Sequence, residues 1–122
     1  MVGVGCNAER RPRVKFRRYA IYWVRLDPAR GSEMRKTRPA VIVSLDVLNQ
    51  ALETVVVCPL TTRLHREWRS RLVVKVRGKF AEVAGDQIRT VSKSRLGKKL
   101  GSLSPADAAA LRRLLGEMYG PE

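Results

Sequence analysis

The 122-residue sequence has few of the residues that build metal centres or disulfide frameworks, with only two cysteines and one histidine. Cys6 and Cys58 have no further cysteine or histidine at ligand spacing, so we expect no metal and no disulfide scaffold. A nuclease that uses two histidines as acid and base is excluded, because His65 stands alone. The sequence also lacks a P-loop and a nucleotide-binding glycine fingerprint, and we expect no cofactor.

Long apolar runs are missing as well. No run approaches the ~18 residues that a membrane span needs, and the basic N-terminus lacks the apolar region of a signal peptide. We therefore expect a cytoplasmic protein that does not contact a membrane. Hydrophobic residues nevertheless make up 44% of the chain, which is enough for a folded domain.

Acidic residues are scarce: 11 Asp and Glu oppose 25 Lys and Arg, and the formal net charge is +14. A field of this sign attracts polyanions, of which nucleic acid is the commonest. The alternative explanation is a general arginine bias that only keeps the chain in solution. Residues 1–17 are basic without hydrophobic periodicity, so we interpret them as a flexible basic extension before one domain over residues 18–120.

Local patterns predict a mainly β domain of the small α+β kind. Apolar, β-branched and aromatic runs predict strands over residues 19–26, 40–45, 53–60, 72–76, 80–84 and 87–91. We expect Pro39 to open the second strand, a short helical turn over 46–50, and a basic segment over 92–99. Ser104, Pro105 and Gly120 then mark the cap, first residue and end of a C-terminal helix. Together these elements indicate a strongly bent antiparallel sheet or barrel with a helix packed on it.

Candidate functional residues are the polar groups at strand ends, where binding groups tend to lie. The set comprises Glu33, Arg38, Thr61, Thr62, Asp86, Gln87 and Arg89. Cys58 lies in an apolar run and is expected in the core, whereas His65 lies in a charged loop and is expected to be exposed. Trp68 of the same loop could stack on a base, be buried or lie at a dimer interface, and the sequence leaves these alternatives open.

Three segments carry a resemblance to a known family: Leu26 to Ser44, Cys58 to Thr62, and Asp86 to Gly97. In order and spacing they resemble the MazF/PemK toxins, and the resemblance covers about residues 18–120. It implies an SH3-like barrel of the CcdB/Kid/MazF type with a C-terminal helix. It also implies a toxin of a type II toxin–antitoxin system: a homodimeric, metal-independent, sequence-specific endoribonuclease for single-stranded RNA, inhibited by an acidic MazE-like antitoxin.

The resemblance also implies roles for individual residues. The ribose 2′-OH would attack the adjacent phosphate and leave a 2′,3′-cyclic phosphate and a 5′-OH. Arg38 matches the catalytic arginine and Thr61 a phosphate-binding threonine, while Glu33 and Asp86 remain alternative bases, with a slight preference for Glu33. The residues expected to bind substrate are Arg30, Ser32, Thr62, Gln87, Arg89 and Lys93.

Two departures from the family pattern limit what carries over. Arg18-Tyr19-Ala20 replaces the usual Arg-Gly-acidic start of the first strand, and Ala84 stands where some relatives have an arginine. Two other functions also remain open on this fold: a gyrase-poisoning toxin and a non-catalytic RNA-binding module.

Overall fold

An antiparallel sheet dominates the computed structural model, which describes residues 15–26, 37–65 and 67–121. In these residues the elements are β1 (Ala20–Arg25), β2 (Thr37–Ile42), α1 (Asp46–Ala51), β3 (Thr54–Thr61), β4 (Arg71–Val76), β5 (Lys79–Ala84), β6 (Arg89–Ser92), β7 (Leu96–Ser102) and α2 (Pro105–Tyr119). Short 3-10 turns lie at Gly85–Gln87 and Lys93–Arg95. No helix of the described chain is long and apolar enough to cross a bilayer.

The central strand, β3, pairs with three other strands. Along the order β4-β5-β3-β2-β1-β7, it lies between β5 and β2, and it also pairs with β6. Residues 54–57 pair with β6, whereas Leu60 and Thr61 pair with β5. Cys58 and Pro59 therefore lie where β3 changes partner, and a residue without an N–H is tolerated there because it interrupts neither ladder. The change of partner curls the sheet.

Both faces of the curled sheet are buried. On one face, Ile21, Val41, Cys58 and Leu60 pack with Leu111 of α2. Side chains alternate along a strand, so the other face carries a second cluster. Its members include Tyr22, Val24, Ile42, Val57 and Val91. Burial on both sides explains the nearly continuous apolar runs of β1, β2 and β3, and it confirms the predicted mainly β fold with a C-terminal helix.

Helix α2 has the predicted ends. The Ser104 hydroxyl accepts the Asp107 N–H at 3.1 Å, Pro105 occupies the first turn, and Gly120 is the C-cap. The fully buried Leu111 fixes the helix to the sheet. The Tyr119 hydroxyl donates to the Gly85 carbonyl at 2.7 Å, which joins the end of the helix to the turn after β5.

The structure differs from the predicted strands in two places. The basic segment, where no strand was predicted, contains the start of β7, an edge strand whose glycines and lysines have low strand propensity and whose ladder with β1 is irregular. Pro39 lies inside β2 and not at its start. It stands opposite Trp23 of β1, while the ladder to β3 begins only at Ala40, so its missing N–H costs no bond to β3.

The first described residues, Lys15 and Phe16, contact Tyr22 of β1. The Tyr22 hydroxyl donates to the Lys15 carbonyl at 3.1 Å, and Phe16 packs edge-on against Tyr22 with ring centroids 5.2 Å apart. Residues 15–17 of the predicted basic extension thus contact the second core cluster. The rest of that extension, residues 1–14, lies outside the described residues, and the predicted boundary at residue 18 stays a prediction.

The contact between α2 and the turn after β5 leads to a stability prediction. A Cβ on Gly85 would lie 2.9 Å from the Ser70 carbonyl oxygen and 3.1 Å from the Met118 sulfur, whereas one on Gly116 would meet nothing within 4 Å. We expect Gly85→Ala to lower the free energy of unfolding by about 1–3 kcal/mol through overpacking. Gly116→Ala, the matched control in an exposed helix position, should raise it by about 0.5–1 kcal/mol. Urea unfolding measures both, and equal effects would contradict the packing assigned to Gly85.

Candidate active site

A groove of about 580 Å³ opens at one end of the sheet, between the ends of β2 and β3 and the β4–β5 hairpin. It is lined by Trp23, Thr37, Arg38, Pro39, Leu60, Thr61, Thr62, Val76, Arg77, Lys79, Phe80, Ala81 and Leu100. Three of the predicted site residues, Arg38, Thr61 and Thr62, are therefore brought together here. The mixed lining, apolar with several cations, suits a ligand that has both flat apolar and anionic parts.

Arg38 and Thr61 both line the groove, just beyond the end of the β2–β3 ladder. The ladder ends where Ala40 pairs with Pro59, and Arg38 and Thr61 each lie two residues further along their strands. A guanidinium and a hydroxyl that line one groove can contact the same small anion. The Arg38 Nε is buried and has no hydrogen-bond partner in the described structure. A buried unpaired donor is costly, and an anion oxygen would satisfy it.

The Thr61 hydroxyl is oriented by the backbone that follows it. Its Oγ1 accepts the Arg63 N–H at 3.1 Å. Because the oxygen serves as the acceptor in that bond, the hydroxyl hydrogen is left to donate to another group. The local chain thus presents Thr61 as a hydrogen-bond donor beside the Arg38 cation.

The β4–β5 hairpin supplies groove residues that the sequence analysis did not identify. Its two-residue turn, Arg77 and Gly78, has φ values of +52° and +82°, which match the tight hairpin turn with two left-handed residues. The turn places Lys79 and Phe80 on the groove, and the Phe80 ring is 63% exposed. Across the groove, Trp23 is 37% exposed. The available signal was an aromatic residue directly after a basic hairpin turn.

Asp86 lies elsewhere, in the 3-10 turn that follows β5, and it does not line the groove. Its carboxylate accepts the Arg71 Nε–H at 2.7 Å and the Arg71 Nη2–H at 3.5 Å. Burial raises the pKa of the Asp86 carboxyl, but the hydrogen bonds from Arg71 and Ser70 and the Arg71 charge outweigh burial. The pKa therefore lies below its usual range, and the carboxylate is held ionised.

The other predicted substrate-binding residues are distributed around the molecule. Arg89 lines a second, smaller cleft of about 190 Å³. Its other lining residues are Arg25, Leu26, Thr90, Val91, Ser92 and Arg95. Gln87 ends the 3-10 turn that contains Asp86, and Lys93 begins the next one. Arg30, Ser32 and Glu33 lie outside the described residues.

His65 was predicted to be exposed, and this prediction was wrong, since only 25% of its side-chain surface is exposed. A buried acidic residue that the sequence analysis missed, Glu82, binds it. Glu82 has no exposed surface, and its carboxylate accepts the His65 backbone N–H at 2.7 Å. The His65 ring stacks on Trp68 at a centroid distance of 3.9 Å. The prediction for Cys58 is confirmed: it is fully buried, and burial together with the Asp86 charge raises the pKa of its thiol to about 12.

The geometry allows a specific chemistry in the groove. A guanidinium offers two parallel donors to a phosphate, and the Thr61 hydroxyl adds a third. Fixed donors of this kind stabilise charge that develops on phosphate oxygens in a transition state. Among the described residues, no three His, Cys, Asp or Glu side chains converge as a metal site would require.

Comparison with known proteins points to one family. A family model described as PemK-like, MazF-like toxin of type II toxin–antitoxin system matches residues 17–119. The endoribonuclease MazF9 of Mycobacterium tuberculosis is 32% identical over 109 residues, which make up 82% of this chain and 92% of that protein.

Solved structures agree with the sequence comparison. The crystal structure of MazF from Deinococcus radiodurans superposes with a TM-score of 0.75 at 23% identity and covers 86% of this chain and 96% of its own, a likeness of fold alone. A mycobacterial endoribonuclease in complex with its cognate antitoxin superposes with a TM-score of 0.73 at 25% identity, over 87% of this chain and 96% of its own.

Proposed function

The chain belongs to the family of PemK-like, MazF-like toxins of type II toxin–antitoxin systems and is an endoribonuclease; we propose that it cleaves single-stranded RNA at specific sequences in the cytoplasm. The observation that carries this proposal is the juxtaposition of Arg38 and Thr61 in the groove, with a buried Arg38 Nε that lacks a partner among the described residues. The net charge of +14 supports a polyanionic substrate.

The proposed reaction is an attack of the ribose 2′-OH on the adjacent phosphorus. The O2′–P bond forms and the P–O5′ bond breaks, which leaves a 2′,3′-cyclic phosphate and a 5′-OH. A carboxylate base takes the 2′-OH proton, and solvent water gives a proton to the departing O5′; the base then releases its proton to the hydroxide that remains. Arg38 binds the non-bridging oxygens and Thr61 donates to the same phosphate, so both stabilise the additional negative charge of the pentacovalent phosphorane. The reaction as proposed uses no metal.

The identity of the base is a choice between Glu33 and Asp86. Asp86 is paired with Arg71 and lies outside the groove lining, and its lowered pKa makes it a weak proton acceptor near neutral pH. These observations favour Glu33, which follows β1 in the chain and precedes Arg38 by five residues. Glu33 stays a prediction from the sequence.

The RNA strand is proposed to run from the groove towards the Arg89 cleft. Exposed aromatic rings at Trp23 and Phe80 offer stacking surfaces for unpaired bases, and Lys79 offers a phosphate contact. Arg89 pairs with Val57, four residues along β3 from Thr61, which is about 13 Å at ~3.3 Å per residue. That separation supports the proposal that Arg89 contacts a different phosphate of the same strand. Arg30, Ser32, Thr62, Gln87 and Lys93 remain predicted substrate contacts.

An antitoxin is the proposed protein partner. A toxin that cuts cellular RNA must be held inactive, and the mycobacterial neighbour was solved with its cognate antitoxin. An acidic MazE-like segment fits a groove lined by Arg38, Arg77 and Lys79, because opposite charge speeds association and favours the correct partner.

A homodimer is the proposed assembly. Four apolar side chains on and beside α1 are exposed in the single chain: Leu45, Val47, Leu48 and Leu52. Exposed apolar patches of this kind often mark interaction surfaces. Light scattering on the purified protein should give the mass of two chains, and a monomer at micromolar concentration would contradict the proposal.

Loss of either groove residue should abolish cleavage. We expect Arg38→Ala and Thr61→Val each to lower kcat by about 10²–10³, the effect of removing one fixed donor to a transition-state oxyanion. The control is Arg112→Ala, which removes the same charge from an exposed position on α2. The measurement is cleavage of a long mixed-sequence RNA in EDTA, with the new ends mapped.

The wild type should give discrete cuts with 5′-OH ends in EDTA. Intact RNA that still binds the wild-type protein would contradict the ribonuclease proposal and favour a non-catalytic RNA-binding module. Intact RNA without binding would favour a protein target such as gyrase.

The Arg89 cleft should contribute affinity without specificity. With a 2′-deoxy oligonucleotide that cannot be cut, Arg89→Gln should weaken binding and reduce the slope of log K against log salt concentration by about 0.7, the value for one phosphate contact on a single strand. Arg113→Gln on the exposed side of α2 is the charge-matched control. An unchanged slope in Arg89→Gln would place the RNA path elsewhere.

A further inference from the structure

A buried acidic side chain in a protein of net charge +14 calls for a physical explanation. The Glu82 carboxylate is 0% exposed, and removing a carboxylate from water costs several kcal/mol even in a relaxed protein. The Arg71 Nη1–H donates to its Oε1 at 3.1 Å, and the His65 N–H donates to its Oε2 at 2.7 Å. A buried ion pair is often no more stable than an apolar replacement, so stability alone does not account for it.

The position of Glu82 suggests what the pair does. In the β3–β5 ladder Glu82 stands directly opposite Thr61, the groove residue. The chain leaves β3 after Thr61 and returns to the sheet at Arg71. Glu82 thus binds the backbone of this loop at His65, four residues after Thr61, and the side chain of Arg71 at the end of the loop. One carboxylate fixes the loop at these two points.

The loop also has internal backbone hydrogen bonds, which depend on the contacts with the Glu82 carboxylate. The Trp68 N–H donates to the His65 carbonyl at 2.9 Å, and the Arg71 N–H donates to the Trp68 carbonyl at 3.2 Å. At the start of the loop, the Arg63 N–H orients the Thr61 hydroxyl. A loop that shifted by even 1 Å would turn the hydroxyl away from the phosphate, and such misplacement costs up to about 100-fold in rate.

Arg71 carries the network onward to Asp86. Its side chain is only 4% exposed, and the guanidinium lies 4.7 Å from the centroid of the Trp68 ring, which stacks on the His65 ring. Nη1 points to Glu82, while Nε and Nη2 point to Asp86. The planar guanidinium therefore links the two carboxylates, and a lysine could not reproduce this geometry.

We propose that Glu82, Arg71 and Asp86 form a positioning network for the Thr61 loop, in which Asp86 acts on the reaction through Arg71 and not as its base. The proposal rests on the proposed ribonuclease function for its kinetic readout. Glu82, Arg71 and Asp86 are not among the residues that line the groove, so they are positioning residues.

The kinetic test compares Asp86→Asn and Glu82→Gln with Glu117→Gln, which removes an exposed carboxylate of α2 and controls for the change in net charge. Relative to the control, we expect each variant to lower kcat about tenfold with little change in KM. The fall in activity on the acid side of the pH–rate profile should stay at the wild-type pH. The double variant should be no worse than the single ones, because both act through Arg71.

Two kinetic results would overturn the proposal. If Asp86 were the base, Asp86→Asn would lower kcat by about 10²–10⁴ and remove the acid-side dependence. If the network had no effect on the loop, Asp86→Asn would match Glu117→Gln. Should Glu82→Gln fail to fold, Asp86→Asn alone decides between these outcomes, since Asp86 is partly exposed.

Two further readouts do not require ribonuclease activity, so failure of the proposed function is distinguishable from failure of this network. Amide hydrogen exchange in residues 62–70 should be at least tenfold faster in Asp86→Asn than in the control. The pKa of Asp86 is lowered by Arg71, so its contribution to stability is present above about pH 4 and is lost as the pH falls further. The difference in Tm between wild type and Asp86→Asn should therefore shrink below about pH 4. Unchanged exchange and a pH-independent Tm difference would refute the network.

Discussion

The register of the β2–β3 ladder is the constraint on which the functional end of the molecule depends. Arg38 and Thr61 are 23 positions apart in the sequence, and the ladder that ends at the pair of Ala40 with Pro59 brings both to the same groove. A slip of one residue would turn one of the two side chains to the other face of the sheet. The register is secured because both faces of β2 and β3 are buried in apolar clusters, so every alternative pairing exposes apolar side chains or buries polar ones.

Charge is used in two different ways in this chain. Most of the basic residues in the described part of the chain are exposed, and they create a field that concentrates polyanions without specifying a fold. Arg71 differs from them, since its guanidinium is buried between two carboxylates. Arginine therefore attracts polyanions at long range when it is exposed, and it links two carboxylates in a fixed geometry when it is buried.

Much of the fold could be predicted from the sequence, and the failures have a common physical cause. The C-terminal helix was predicted with its cap and stop because Ser104, Pro105 and Gly120 are local signals. β7 was missed because its place at the edge of the sheet is decided by pairing with β1, not by its own propensity. In the candidate site, Arg38 and Thr61 were predicted through long matching segments, and both line the groove. Glu82 was not found, since a single glutamate in a strand gives no sign of being buried opposite Thr61.

The hairpin turn beside the groove lowers the stability of the fold, and this matters for protein engineering. Arg77 adopts a left-handed conformation that glycine or asparagine tolerates better, at a cost of about 1 kcal/mol. A search for thermostable variants would therefore select Gly or Asn at this position. Natural proteins leave such stabilising substitutions unused where function requires the original residue. The gain in melting temperature would come with the loss of a cation from the rim of the groove. At this turn, the residue that would give the highest stability differs from the residue that best binds an anionic strand.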